Sequence, residues 1–176
     1  MRNVGLLATR VVLGGYLAVH GAQKLFGSFG GPGLDATVEG FEKMGMRPAR
    51  PLAVLASASE LGGGVLTATG IADPLGPLAI VGAMSVATAV HRKQGPLAQK
   101  AGFELPLTNL ALAVGLMSTG PGRLVLGPRL PKSLARLSFV AGATIAGFSL
   151  SQLLRATPVA PAKPAEDSGE ADPPSL

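Results

Sequence analysis

The feature that most constrains this chain is a series of apolar runs, each close to the length of a bilayer crossing. A helix needs about 20 mostly apolar residues, at ~1.5 Å each, to cross the hydrocarbon core. Five segments approach that length: Val4–Phe26, Pro51–Ile71, Leu75–His91, Phe103–Thr119 and Leu134–Leu154. Charge is scarce enough to agree. Only 14% of the 176 residues are charged and 47% are hydrophobic, whereas a soluble domain carries about 25% charged residues. The sequence therefore predicts an all-α membrane protein. Its 25 glycines fit that reading, because small residues let membrane helices approach closely.

The segments between the runs are equally telling. Leu34, Val38, Phe41 and Met44 recur at helical spacing among Asp35, Glu39, Glu42 and Lys43, which predicts a short interfacial helix over about 34–45. Pro48 and Pro51 prevent its continuation. Residues 157–176 are rich in Pro, Ala and acid with no apolar period, and are expected to be disordered. The N-terminus starts like a signal peptide. Arg10 interrupts it and no A-x-A-like site follows cleanly, so it reads as an uncleaved first helix.

Alternation of five spans puts the N-terminus, Asp73, Arg123, Arg129 and Lys132 on one side of the membrane. Lys43, Arg47, Arg50, Arg92, Lys93 and Lys100 fall on the other. Basic residues flank both faces, so the positive-inside rule sets no orientation. The net charge of +5 reads as attraction to anionic lipid rather than to nucleic acid, since no basic stripe carries interleaved aromatics.

Polar groups inside spans are costly and are functional candidates by default. The same alternation gathers His20, Gln23, Lys24, His91 and Glu104 in one membrane half. His20 and Lys24 are i, i+4 neighbours on one face. Glu60 lies nine residues past Pro51, roughly 13 Å deep at the helical rise. A carboxylate there is expected to be protonated or paired with a cation reaching inward, either Lys24 or His20, with Arg10 a third choice from the opposite side. These six residues, His20, Gln23, Lys24, Glu60, His91 and Glu104, form the candidate polar pocket. Bland readings stand beside it. Glu60 and His20 serve equally well as helix–helix glue, Glu104 suits a helix N-terminus, and Arg92 and Lys93 suit snorkelling to the head groups. Gly14, Ala18 and Ala22 form a small-residue ridge, and Gly142 with Ala146 repeats the pattern near the C-terminus.

Several chemistries are excluded. The chain has no cysteine, which removes disulfides, thiolate metal sites and a thiol relay within it. No phosphate-binding loop, dinucleotide fingerprint, G-x-S-x-G elbow or H-E-x-x-H occurs, and no carboxylate–histidine cluster has metal-ligand spacing. Two histidines at helix ends carry no haem signature.

The stretches "HGAQKLFGSFGGPGL", "GFEKMGMRP", "ASASELGGGVLTATG" and "GFELPLTNLALAVGLMSTGPGRLVLG" resemble, in order and spacing, the DoxX family of small bacterial membrane proteins. The resemblance covers about Leu6 to Gly127. It implies a four-helix transmembrane bundle over residues 1–127, to which residues 128–156 add a fifth C-terminal transmembrane helix. The tail has a composition common in high-GC actinobacteria. The family is named for a relative of a thiosulfate:quinone oxidoreductase subunit. Some mycobacterial members are tied to a membrane oxidoreductase complex with a superoxide dismutase and a sulfurtransferase as partners. The resemblance thus implies a multi-pass protein of the cell membrane supporting such an oxidative-stress complex, with quinone as the cofactor to consider. It carries over no catalytic residue, so the chain reads as a non-catalytic subunit rather than a stand-alone enzyme. His20, Gln23, Lys24, Phe26, Glu60 and Glu104 match the family pattern. A pure scaffold, or a small-molecule or proton pathway reaching Arg10, are the alternatives.

Overall fold

A computed structural model describes residues 1–155, and every element in it is helical. The helices are α1 (Arg2–Phe26), α2 (Gly33–Lys43), α3 (Ala49–Thr69), α4 (Leu75–His91), α5 (Glu104–Thr119) and α6 (Lys132–Arg155). Short 3₁₀ turns occupy Ser28–Gly30, Arg92–Gln94 and Ala98–Lys100. The tail expected to be disordered, 157–176, lies outside the described residues, as do the side-chain surroundings of Gly142 and Ala146.

The ends of the helices follow from their sequence. Gly27 takes a left-handed conformation (φ 69°), and its N–H returns to the Gln23 carbonyl at 3.1 Å, which stops α1. Gly70 (φ 72°) stops α3 in the same way, with its N–H on the Leu66 carbonyl at 2.9 Å. Among the described residues, α1, α3 and α4 with its trailing turn are long and apolar enough to cross a membrane. α5 has only 16 residues, roughly 24 Å of helix against a hydrocarbon core of about 30 Å. α6 is helical over the range expected for the fifth span but is not among those three.

α1 buries Arg10, Leu13, Gly14, Leu17 and Gly21, a single stripe at helical spacing. Its leucines pack with Ile80 and Met84 of α4 and Ala113 and Leu116 of α5 to form the core. Its buried glycines, Gly14 and Gly21, face α3. A Cβ on Gly14 would lie 2.4 Å from the Gly64 carbonyl oxygen, and one on Gly21 would lie 2.3 Å from the Leu61 nitrogen. Gly14 and Ala18 of the expected ridge lie on this seam, a Cβ on Gly64 falling 2.6 Å from the Ala18 nitrogen, and Gly21 joins them. Its i, i+3 position keeps it on the seam as α1 crosses α3.

Residues 120–131 form a strap across one end of the bundle. Leu126 N–H donates to the Thr69 carbonyl at 3.0 Å, Ala72 N–H to Pro128 at 2.9 Å, and Leu130 N–H to Asp73 at 3.1 Å. Arg123 N–H donates to the Asn3 side-chain oxygen at 3.3 Å. These bonds fix the C-terminal end of α5 beside the start of α1 and the α3–α4 turn.

Candidate functional site

The glycine seam brings the α1 and α3 backbones almost into contact, and the charged pair sits directly beside it. Lys24 is three residues beyond Gly21, and Glu60 precedes Leu61, the residue Gly21 abuts. At so short an interhelical distance the lysine stem reaches across. Lys24 Nζ donates to Glu60 Oε1 at 2.6 Å and to Oε2 at 2.7 Å. The Glu60 side chain is 6% exposed and that of Lys24 35%, so the carboxylate is enclosed while one flank of the ammonium stays open. An ammonium has three N–H donors; two are engaged here and one is left. One turn earlier, the buried Ser57 hydroxyl donates to the Ala53 carbonyl at 2.7 Å. It is thereby satisfied within its own helix and does not compete for the carboxylate.

α2 closes the site from the loop side. The Thr37 hydroxyl donates to the Gly33 carbonyl at 2.7 Å and lies 3.2 Å from the Lys24 carbonyl. It thereby ties the interfacial helix to the last turn of α1. Gln23 supports the same corner. A Cβ on Gly31 would lie 2.4 Å from Gln23 Cβ, so the Gly-rich loop folds back onto the glutamine stem.

The remaining sequence candidates are placed elsewhere. His20 meets Tyr16 edge-on, with ring centroids 4.4 Å apart and planes at 74°, and among the described residues it makes no hydrogen bond to Glu60. His91 and Glu104 brace the α4–α5 loop. His91 Nδ1 lies 2.8 Å from the Ala101 carbonyl, which requires the proton on Nδ1. Glu104 Oε2 accepts the Ala98 N–H at 3.0 Å. The candidates thus divide into a Lys24–Glu60 pair with Gln23 beneath the loop, an aromatic pair of His20 with Tyr16, and a loop clasp of His91 and Glu104.

Sequence reasoning did not include Tyr16 or Thr37 in the site. The signal for Tyr16 is its i, i+4 relation to His20; Thr37 has none, because its contact depends on how α2 folds back. At the opposite end, Arg10 is 1% exposed and donates through Nη2 to the Leu124 carbonyl of the strap. It approaches Glu60 from neither side. A Cβ on Gly70 would collide with its Nη1, so the guanidinium sits against the end of α3. The buried core of Leu13, Leu17, Ile80 and Met84 is apolar.

The family model for DoxX matches residues 5–92, half of the chain. That range runs from the start of α1 to the end of α4 and contains His20, Gln23, Lys24, Glu60 and His91; Glu104, α5 and α6 lie beyond it. No curated protein and no solved structure matches the chain.

Proposed function

The chain belongs to the DoxX family, and on that footing we propose that it is a non-catalytic cell-membrane subunit supporting a membrane-associated oxidoreductase, with a quinone head group meeting Lys24. The observation that carries the reading is the state of the Lys24 ammonium. It is held in place by both oxygens of an enclosed carboxylate, yet it is a third exposed and keeps one N–H unassigned. A fixed, partly desolvated donor of this kind suits a carbonyl oxygen arriving from the lipid phase. The oxidoreductase itself, and soluble partners such as a superoxide dismutase or a sulfurtransferase, come from the family resemblance. In this reading α5 and α6 also cross the membrane, making a four-helix bundle with a fifth span. Support comes from the strap, which carries α5 to the far end of the bundle despite its 16 residues.

The test is quinone binding by the purified protein. Lys24→Met should abolish it while circular dichroism remains helical, and Glu60→Gln should weaken it by loosening the lysine. Binding unchanged in both variants would overturn the reading.

A scaffold role is favoured by a different feature of the same pair: both carboxylate oxygens are already used, and they join α1 to α3 beside the glycine seam. On that reading the two variants bind quinone no differently from wild type but lose thermal stability. Lys24→Met loses more, because it leaves a 6%-exposed carboxylate unpaired, whereas a freed Lys24 can turn outward. Breaking a fully buried pair costs about 3–5 kcal/mol; the open flank of Lys24 reduces that here. Pull-downs would then recover soluble proteins with no quinone present.

A further inference from the structure

Away from the Lys24–Glu60 pair, a cavity of about 300 Å³ lies among α2, α3, α4 and α6. Its lining is apolar except for Ser59 and Ser138, which suits a hydrocarbon ligand. Along α4 the lining runs from Leu75 to Val86, 11 rises or roughly 16 Å. About 300 Å³ spread over that length leaves a narrow channel. A partner helix, about 10 Å or more across, cannot enter it; a single extended hydrocarbon chain can.

The mouth indicates what that chain is attached to. Phe41 of α2 and Met46, which is 1% exposed, form the interfacial end of the lining. Arg47 follows Met46 directly, and Arg50 lies in the first turn of the helix whose Ala56 lines the cavity. Both arginine side chains are more than 60% exposed. Their partners are Glu42 at 3.6 Å and Asp35 at 3.0 Å, and the neighbouring Lys43 is held by Glu39 at 2.6 Å. Exposed ion pairs are worth little, so they yield readily to a phosphate, which a guanidinium engages with two parallel donors. We infer that this is a phospholipid site, with one acyl chain in the α3–α4–α6 channel and the phosphate on Arg47 and Arg50. α6 forms the outer wall of the channel and lies beyond the residues that the family model matches. Ser138 and Ala141 thus add this chain's own wall to a lining otherwise drawn from the matched residues.

Native mass spectrometry of the protein extracted in mild detergent tests the site. Wild type should retain one phospholipid per chain. Ala141→Phe, which blocks the channel from α6, should release it with helicity unchanged, and Ala56→Phe from the α3 side should do the same. The double change Arg47→Gln, Arg50→Gln should lower retention about tenfold. The inference is overturned if wild type retains no lipid, if a phosphate-free isoprenoid compound is retained instead, or if both phenylalanine variants keep the phospholipid. Retention untouched by the arginine changes overturns the placement of the phosphate.

Discussion

At the scale of single residues, two charged groups show how burial sets behaviour. Glu60 was legible in the sequence because a carboxylate within a run of apolar residues must find a cation. Lys24 was legible because it ends the neighbouring span on the same side. His20 shares a face with Lys24, yet it turns to Tyr16; spacing alone does not fix which of two neighbours on one face reaches across to α3. Asp73 at the other end behaves differently. Burial pushes its carboxyl above the ordinary carboxylate value of 3.8, and Arg129 and Arg10 only partly oppose this. The folded chain therefore binds a proton at Asp73 more tightly than the unfolded chain does. Stability contributed by this group is fully present below pH 3.8 and is lost as pH rises through the elevated folded value. Asp73→Asn should accordingly raise the melting temperature at pH 7 by no more than a few degrees, since a partly exposed charge is screened. At a pH below 3.8 the variant and wild type should melt together. An equal advantage at both pH values would show that the effect is not titration of Asp73.

At the scale of elements, the α1–α3 seam rests on backbone proximity, and neighbouring glycines on α3 differ sharply in what they tolerate. A Cβ on Gly64 would lie 2.5 Å from the Gly14 carbonyl oxygen and 2.6 Å from the Ala18 nitrogen, whereas a Cβ on Gly62 meets nothing within 4 Å. Gly64→Ala should destabilise by about 1–3 kcal/mol, because the helices must separate. Gly62→Ala should stabilise by roughly 0.5–1 kcal/mol, because alanine loses less backbone entropy in a helix. Thermal melts in one detergent compare the two, and equal effects would mean that the seam is looser than its geometry. Separation of the helices should also lengthen the Lys24–Glu60 contact, so Gly64→Ala should mimic part of the Glu60→Gln phenotype. The helices themselves were readable from apolar length and glycine or proline punctuation, and α2 from its amphipathic spacing. The strap was not. Residues 120–131 carry no period, and their order comes from bonds to Thr69, Ala72 and Asp73, nearly sixty residues earlier in the chain. The same long-range folding conceals the bond from Arg10 to Leu124 and the channel between α4 and α6.

At the scale of the whole molecule, the open question is how many helices cross, and the bundle's own connections shape the answer. The strap bonds hold the end of α5, the start of α1 and the α3–α4 turn together. The opposite end carries the Gly-rich loop, α2 and the α4–α5 loop. If α1, α3 and α4 cross, then α5 must cover the same thickness in 16 residues, roughly 24 Å of helix. The bilayer would then thin locally beside it by several ångströms, an accommodation open to short spans. The absence of cysteine makes this directly measurable, since any introduced thiol is the only one in the chain. Thiols at Ser28 and Gln94 should react with an impermeant maleimide from one side of sealed vesicles. Thiols at Asn3 and Ser133 should react only from the other. Ser168→Cys, beyond α6, decides the fifth span: labelling together with Ser28 places α6 across the membrane, and labelling together with Ser133 leaves it on the surface. The second result would also remove the outer wall of the phospholipid channel from the hydrocarbon core. Topology and lipid retention are thereby coupled outcomes, and the Ala141→Phe effect should appear only in a chain whose position 168 labels with position 28.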